Sequence, residues 1–416
     1  MHYSVRLSFL CILMTASPLS AQNPRPPATR TVQHFDDYHG VQVGDFYRWL
    51  EDANSRETAE WVEAENKATF AYLRGLPQRE VFKKRLTELF NYERWSPPGR
   101  RGDRFFFLRN DGLQNQNVLW VTEAGRDRVL LDPNTLSSDG TVALTSVAAS
   151  PDGSLIAYGL AAAGSDWNEF RVRDVADGHD LDDHIHWSKF SQASWTRDGK
   201  GFFYGRYPEP AKGEELTAQV RNMKLYYHRI GPPQSADVLV YERPDQPDWG
   251  FAPEVTDDGR WLVISVWMGT DRRNRVHVLD LGNPDSPGVT GNVRPVLDAF
   301  DAGYAFLSND GPIFHFRTDR DGPRGRIVAI DIRNPEPSGW RELIPEQASA
   351  LDQATVVGDR FVVNYLEDAK SRLRLFAMNG TPQGDVRLPG IGTVGALNGR
   401  REDPDLYFLF TSALTP

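Results

Sequence analysis

The densest set of side chains able to do chemistry lies at 179–186, where His179, Asp180, Asp182, Asp183, His184 and His186 crowd together. Imidazole nitrogens and carboxylate oxygens are transition-metal ligands, and His184 and His186, two residues apart, would share one face of a strand. Their spacing fixes no third ligand. A solvated polar loop is therefore the preferred reading, and no metal or other cofactor is assigned. A second motif, PGIGTVG, carries G-x-G-x-x-G at Gly390, Gly392 and Gly395. Dinucleotide chemistry needs such glycines to open a helix after a strand, whereas here Pro389 precedes them and the polar turn NGRREDP follows, so the match is read as coincidence. A serine nucleophile needs the G-x-S-x-G elbow, and no serine of the 416 residues has it. Ser165, in Gly164-Ser165-Asp166-Trp167, lacks both required glycines. Cys11 is the only cysteine, which excludes an intramolecular disulfide and a cysteine-based zinc site. The sequence thus assigns no catalytic residue.

The elements that would position these residues show a repeat. After Arg94 the chain breaks into short runs rich in Val, Ile, Phe and Tyr, each launched from a turn containing Asp, in most cases beside Gly. The turns are Gly102-Asp103, Asp152-Gly153, Asp198-Gly199, Asp258-Gly259, Asp310-Gly311, Gly358-Asp359 and Asp403. The aspartates stand 49, 46, 60, 52, 49 and 44 residues apart. A second run follows in nearly every unit, as in NVLWVT, FRVRDV, LYYHRI, RVHVLDL, RIVAIDI and LRLFAM. This loose period predicts a mainly β fold, a seven-bladed β-propeller over 96–416 with its last blade incomplete, in preference to a β-sandwich or a larger barrel.

A helical segment over 34–95 precedes the repeat. Apolar residues between Ser55 and Arg74 fall loosely at helical spacing, with Gly75 as a stop before Pro77. Val81, Phe82, Leu86, Leu89 and Phe90 form a cleaner stripe. Residues 22–33, QNPRPPATRTVQ, read as a linker. Residues 1–21 read as a secretory signal peptide: Arg6, the apolar run LSFLCILMTA at 7–16, and the small pair Ser20-Ala21 before cleavage. The run is too short to span a membrane. A secreted or periplasmic location of bacterial type follows. The chain is 40% hydrophobic and 25% charged with a net charge of −10, the composition of a folded protein that repels phosphate backbones. Neither nucleic acid nor a membrane is an expected partner.

These features resemble the prolyl oligopeptidase family. The opening Tyr38-His39-Gly40, YRWLED at 47–52 and ENK at 65–67 are similar to that family's first segment. GLQNQ at 112–116, LDPNTLSSDGTVAL at 131–144, AYGLAAAGSDW at 157–167, WTRDGKGFFYGRYP at 195–208 and KLYYH at 224–228 follow in order. The likeness runs from Asp37 to Pro416. It implies a propeller capping an α/β-hydrolase domain, helices that pack on that domain, and cleavage of short peptides after proline by a serine-type endopeptidase. The domain carrying the triad would begin after residue 416, so the chain by itself is expected to be catalytically incomplete. It also implies two substrate-binding positions. Phe190, in KFS, would line an apolar subsite, although a blade-core role is weighed equally, and Thr270, in Gly269-Thr270-Asp271, stands where the family has cysteine. The family's methionine after a tryptophan is replaced by Gly250, with Phe251 next. The alternative is a non-catalytic peptide-binding propeller or adaptor.

Overall fold

A computed structural model describes residues 26–215 and 217–414, so the proposed leader at 1–21 lies outside the described residues. The chain divides into two compact units, one ending at Leu89 and one beginning at Phe90.

In the first unit Ser55 accepts the Thr58 N–H through its hydroxyl and caps helix α1 (Arg56–Gly75). The helix takes in Gly75 and ends at Leu76, whose extended ψ of 119° is what a residue before proline adopts, so Pro77 rather than Gly75 sets the stop. Helix α2 (Arg79–Phe90) buries none of its residues. Two features went unforeseen. Phe35–Tyr38 pairs antiparallel with Val41–Gly44 as a hairpin, and part of the supposed linker is tied down, with Arg30 paired to Glu57 and Trp49 Nε1 donating to the Arg30 carbonyl.

The second unit is a propeller. Six sheets follow one another along the chain, and each has four antiparallel strands in sequence order, apart from the first. In that sheet the innermost strand is split into Arg94–Trp95 and Gly99–Arg101, both paired with Arg104–Asn110. Pro97 and Pro98 lack the N–H that would carry the ladder through the gap. The expectation of seven blades is corrected here, because the described residues build six full blades. The seventh unit gives only a two-stranded sheet, Thr393–Asn398 with Tyr407–Thr411. An Asp-Gly turn marks only the junction between the first and second strands of a unit, so seven turns do not guarantee seven complete sheets.

The core is distributed between neighbouring sheets. Phe106 and Val121 of blade one meet Ile156 and Tyr158 of blade two, and Phe170 and Ile185 of blade two meet Phe202 and Tyr204 of blade three. In blade four Leu262 and Ile264 face blade three, while Val263 faces Phe314 and Phe316 of blade five. Middle strands are therefore apolar on both faces and read as continuous hydrophobic runs. The two-stranded sheet packs on blade six through Leu397 and Phe408. It reaches blade one where the Tyr407 and Phe105 rings lie 6.1 Å apart and Asn398 donates to the Pro97 carbonyl.

Candidate functional site

Strand direction alternates within every blade, which sorts the loops onto two rims. Turns joining strands one and two lie on one rim; those joining strands two and three lie on the other, with the blade-to-blade connections. The second rim carries both substrate-binding positions implied by the resemblance. Phe190 sits in the connection from Asp180–Ser188 to Ser194–Trp195, and Thr270 in the turn after Trp261–Met268.

Phe190 is 54% exposed, which argues against the blade-core role. Its ring meets the Trp267 indole edge-on at 6.2 Å. Thr270 is exposed too. Beside it the Arg273 guanidinium hydrogen-bonds Asp271 and holds that carboxyl down at about 2. The segment carrying Phe190 is wound tightly, with Trp187 at φ 61° and Phe190 at φ 53°, a left-handed conformation costly for bulky residues. Hydrogen bonds hold it there. Ser188 Oγ donates to the Gly205 carbonyl, Ser191 Oγ accepts the Gly205 N–H, and the Trp187 carbonyl accepts from Tyr207.

Trp267 was missed in the sequence, although a signal existed. Gly250 lies directly across from it in the ladder. A Cβ at 250 would stand 2.0 Å from the indole, so the missing side chain is the space the indole fills. Phe251, by contrast, is fully buried.

Two cavities open on innermost strands and share Ala252, Pro253 and Glu254. One, of about 680 Å³, adds Trp267, Asn274 and Tyr304; the other, of about 530 Å³, adds Thr145, Phe190 and Gln192. Both lie along innermost strands, which in a propeller face the central channel. Burial among the blades, with Asp257 next, pushes the Glu254 carboxyl up to about 7 against the pull of Arg400. Its side chain remains exposed to solvent on the channel side.

At the opposite rim the tip of the two-stranded sheet, in the NGRREDP turn, crosses the channel mouth. Arg400 pairs with Asp257 of blade four. Arg401 reaches Asp310 of blade five and Asp359 of blade six, each at 2.6 Å. Glu402 stands 3.7 Å from Arg197 of blade three. Arg101 of blade one lies near this tip; burial first and Arg400 second push its guanidinium down to about 10. A structural turn recurs here: Asp152 accepts from the Ser150 hydroxyl and the Ser154 N–H, and Gly153 (φ 72°) passes so near the Arg101 carbonyl that a Cβ would lie 2.6 Å from it.

The 179–186 cluster is dispersed. Asp180–Ser188 is the outer strand of blade two and not a loop, which corrects the earlier reading. Asp180 pairs with Arg173 and accepts from Tyr158. Asp183 turns inward to His228. His184 and His186 lie together on the other face.

Residues 26–416 match the family described as prolyl oligopeptidase, N-terminal beta-propeller domain. The chain is 36% identical over 415 residues to a prolyl endopeptidase of Elizabethkingia meningoseptica, covering 99% of this chain and 58% of that protein. It is 32% identical over 424 residues to prolyl oligopeptidase A of Amanita bisporigera, covering 94% and 55%. Among solved structures, one from a study of two prolyl endopeptidases superposes with TM-score 0.73 at 36% identity, covering 94% of this chain and 56% of that one. Prolyl oligopeptidase B of Galerina marginata, bound to a 35mer hydrolysis and macrocyclization substrate, superposes with TM-score 0.83 at 26% identity, covering 93% and 57%. The chain spans a little over half the length of the relatives it matches. It belongs to the prolyl oligopeptidase family, as that family's N-terminal β-propeller segment.

Proposed function

We propose that this chain is the N-terminal segment and substrate-gating propeller of an exported, prolyl oligopeptidase-type serine endopeptidase. Its substrates are short proline-containing peptides, and its serine, aspartate and histidine stand on a separate hydrolase domain. The observation that carries this reading is the asymmetry of the two rims. One presents an exposed aromatic corner, Phe190 on Trp267, with Thr270 on the same rim; the other is crossed by the Arg400, Arg401 and Glu402 tip. Exposed aromatics give proline rings and apolar side chains a surface to stack on. A mouth laced with ion pairs excludes folded proteins. Several apolar side chains of the helical unit, among them Val81 at 68% and Phe82 at 66% exposure, support a hydrolase surface as their partner. Export rests on the 1–21 pattern and on the absence of cysteine from 22–416.

A second reading is a peptide-binding adaptor without chemistry, for which the corner made by exposed Phe190 and Trp267 would serve equally well. Sequencing the gene beyond the codon for Pro416 separates the two. An open frame encoding G-x-S-x-G and a later histidine supports the peptidase, and an immediate stop supports the adaptor.

A further inference from the structure

Blade two brings together three metal-ligating side chains that no part of the peptidase reading uses. In the ladder Phe170 faces Ile185 and Arg171 faces His184, with a register shift between Asn168 and Phe170. Phe170 and Ile185 pack against blade three, so the alternate residues 169, 171, 184 and 186 share the opposite face of the blade. The shift sets Glu169 against both imidazoles: Oε2 lies 2.8 Å from His184 Nε2, and Oε1 lies 3.5 Å from His186 Nδ1. One ligand atom from each residue can be chosen so that all three lie within 4.8 Å of one another, the one such group of His, Cys, Asp and Glu found among the described residues.

We propose that Glu169, His184 and His186 form a site for one divalent transition-metal ion of the Zn²⁺, Ni²⁺ or Cu²⁺ type. A tetrahedral ion with bonds of about 2.0–2.1 Å needs its ligand atoms about 3.3 Å apart. The two carboxylate-to-imidazole distances bracket that spacing, so an ion enters with small side-chain rotations. The third ligand that the 179–186 segment lacked comes from a neighbouring strand, 15 residues before His184. The scaffold is stiff: Gln234 of the third blade accepts the His186 N–H and donates back to its carbonyl at 3.0 Å. The three side chains are 38–46% exposed, which leaves an entry path and a coordination position for water. Two imidazoles select against Ca²⁺ and Mg²⁺, which take oxygen ligands. One group opposes the ion. Arg171 lies on the same face with Nη2 3.8 Å from Glu169 Oε2, and its charge lowers the affinity.

The test is calorimetric titration of the tag-free chain, stripped with EDTA, with ZnCl₂ and NiCl₂ near pH 7.5. Saturation at one ion per chain is expected. Binding should weaken on the order of tenfold or more in Glu169→Gln and be lost in His184→Ala/His186→Ala. Arg171→Gln should tighten it. Zinc should raise the melting temperature of the wild type and not of the double variant, which also reports that the variant folds. No binding to the wild type, or binding unchanged in the double variant, would overturn the site.

Discussion

His228 offers a demanding test of the packing between blades two and three. Its side chain is fully buried, with Nε2 2.9 Å from Asp183 Oδ1 and Nδ1 2.7 Å from Asp237 Oδ1. Those carboxylates are themselves 1% and 3% exposed. Both ring nitrogens meet acceptors, so both must donate, and the ring is an imidazolium. Burial alone would push its pKa down; the hydrogen bonds to Asp183 and Asp237 outweigh it and raise the value to about 9. A shift from 6.5 to about 9 corresponds to about 3 kcal/mol of folding stability. Because the folded-state pKa is the higher one, that contribution is complete below pH 6.5 and is lost as pH rises through 9. His228→Gln keeps the polarity and removes the cation, leaving two buried carboxylates facing each other at a cost of about 3–5 kcal/mol. Urea denaturation at pH 6 reads that cost, and comparison of the wild type with His228→Gln/Asp183→Asn/Asp237→Asn, which removes the stranded carboxylates, at pH 6 and pH 9.5 reads the proton. The wild type should lose about 3 kcal/mol more than this triple variant across that interval. Groups elsewhere, Glu254 included, titrate alike in both proteins and cancel. Parallel pH dependence would refute the reasoning, since it would mean that His228 carries no extra proton in the folded state.

Gly250→Ala should cost about 1–3 kcal/mol by driving Cβ into the Trp267 indole. Adding Trp267→Ala should recover part of that loss in a double-mutant cycle read by urea denaturation, and additive losses would contradict the contact. At the channel mouth the acidic partners Asp310 and Asp359 are 52% and 72% exposed, so each pair is worth at most about 1 kcal/mol and is screened by salt. Arg400→Ser/Arg401→Ser should leave the melting temperature nearly unchanged yet speed proteolytic cleavage within 399–405, and raised salt should mimic it in the wild type. Cleavage at the wild-type rate would show that the ion pairs do not hold the tip.

The strands that the sequence revealed are those with the most apolar cover. RWLVISVW and RVHVLDL became the second and third strands of blade four, walled on both sides by neighbouring blades. The innermost and outermost strands stayed hidden because one side faces the wet channel and the other faces solvent, as with Arg294–Leu297 and Pro382–Asp385. Phe190 was named through family resemblance, and the structure adds why it is exposed: a left-handed turn lifts it out of the blade. Trp267 was legible only as the partner of an odd glycine in a strand. Glu169 lay beyond local spacing altogether, since the pairing of two strands brings it to His184 and His186.

The central claim, that this propeller admits short proline-containing peptides and excludes folded chains, is tested most directly by a chimera. Residues 26–416 replace the matching segment of the Elizabethkingia meningoseptica prolyl endopeptidase, which the chain covers over 58% of its length. Hydrolysis is measured for a short prolyl peptide and for the same sequence displayed on a loop of a stably folded protein, with the chain of 1–416 alone as control. The account predicts rapid cleavage of the short peptide by the chimera, little of the loop, and none of either by the control. Equal cleavage of peptide and folded substrate by a folded chimera would contradict it.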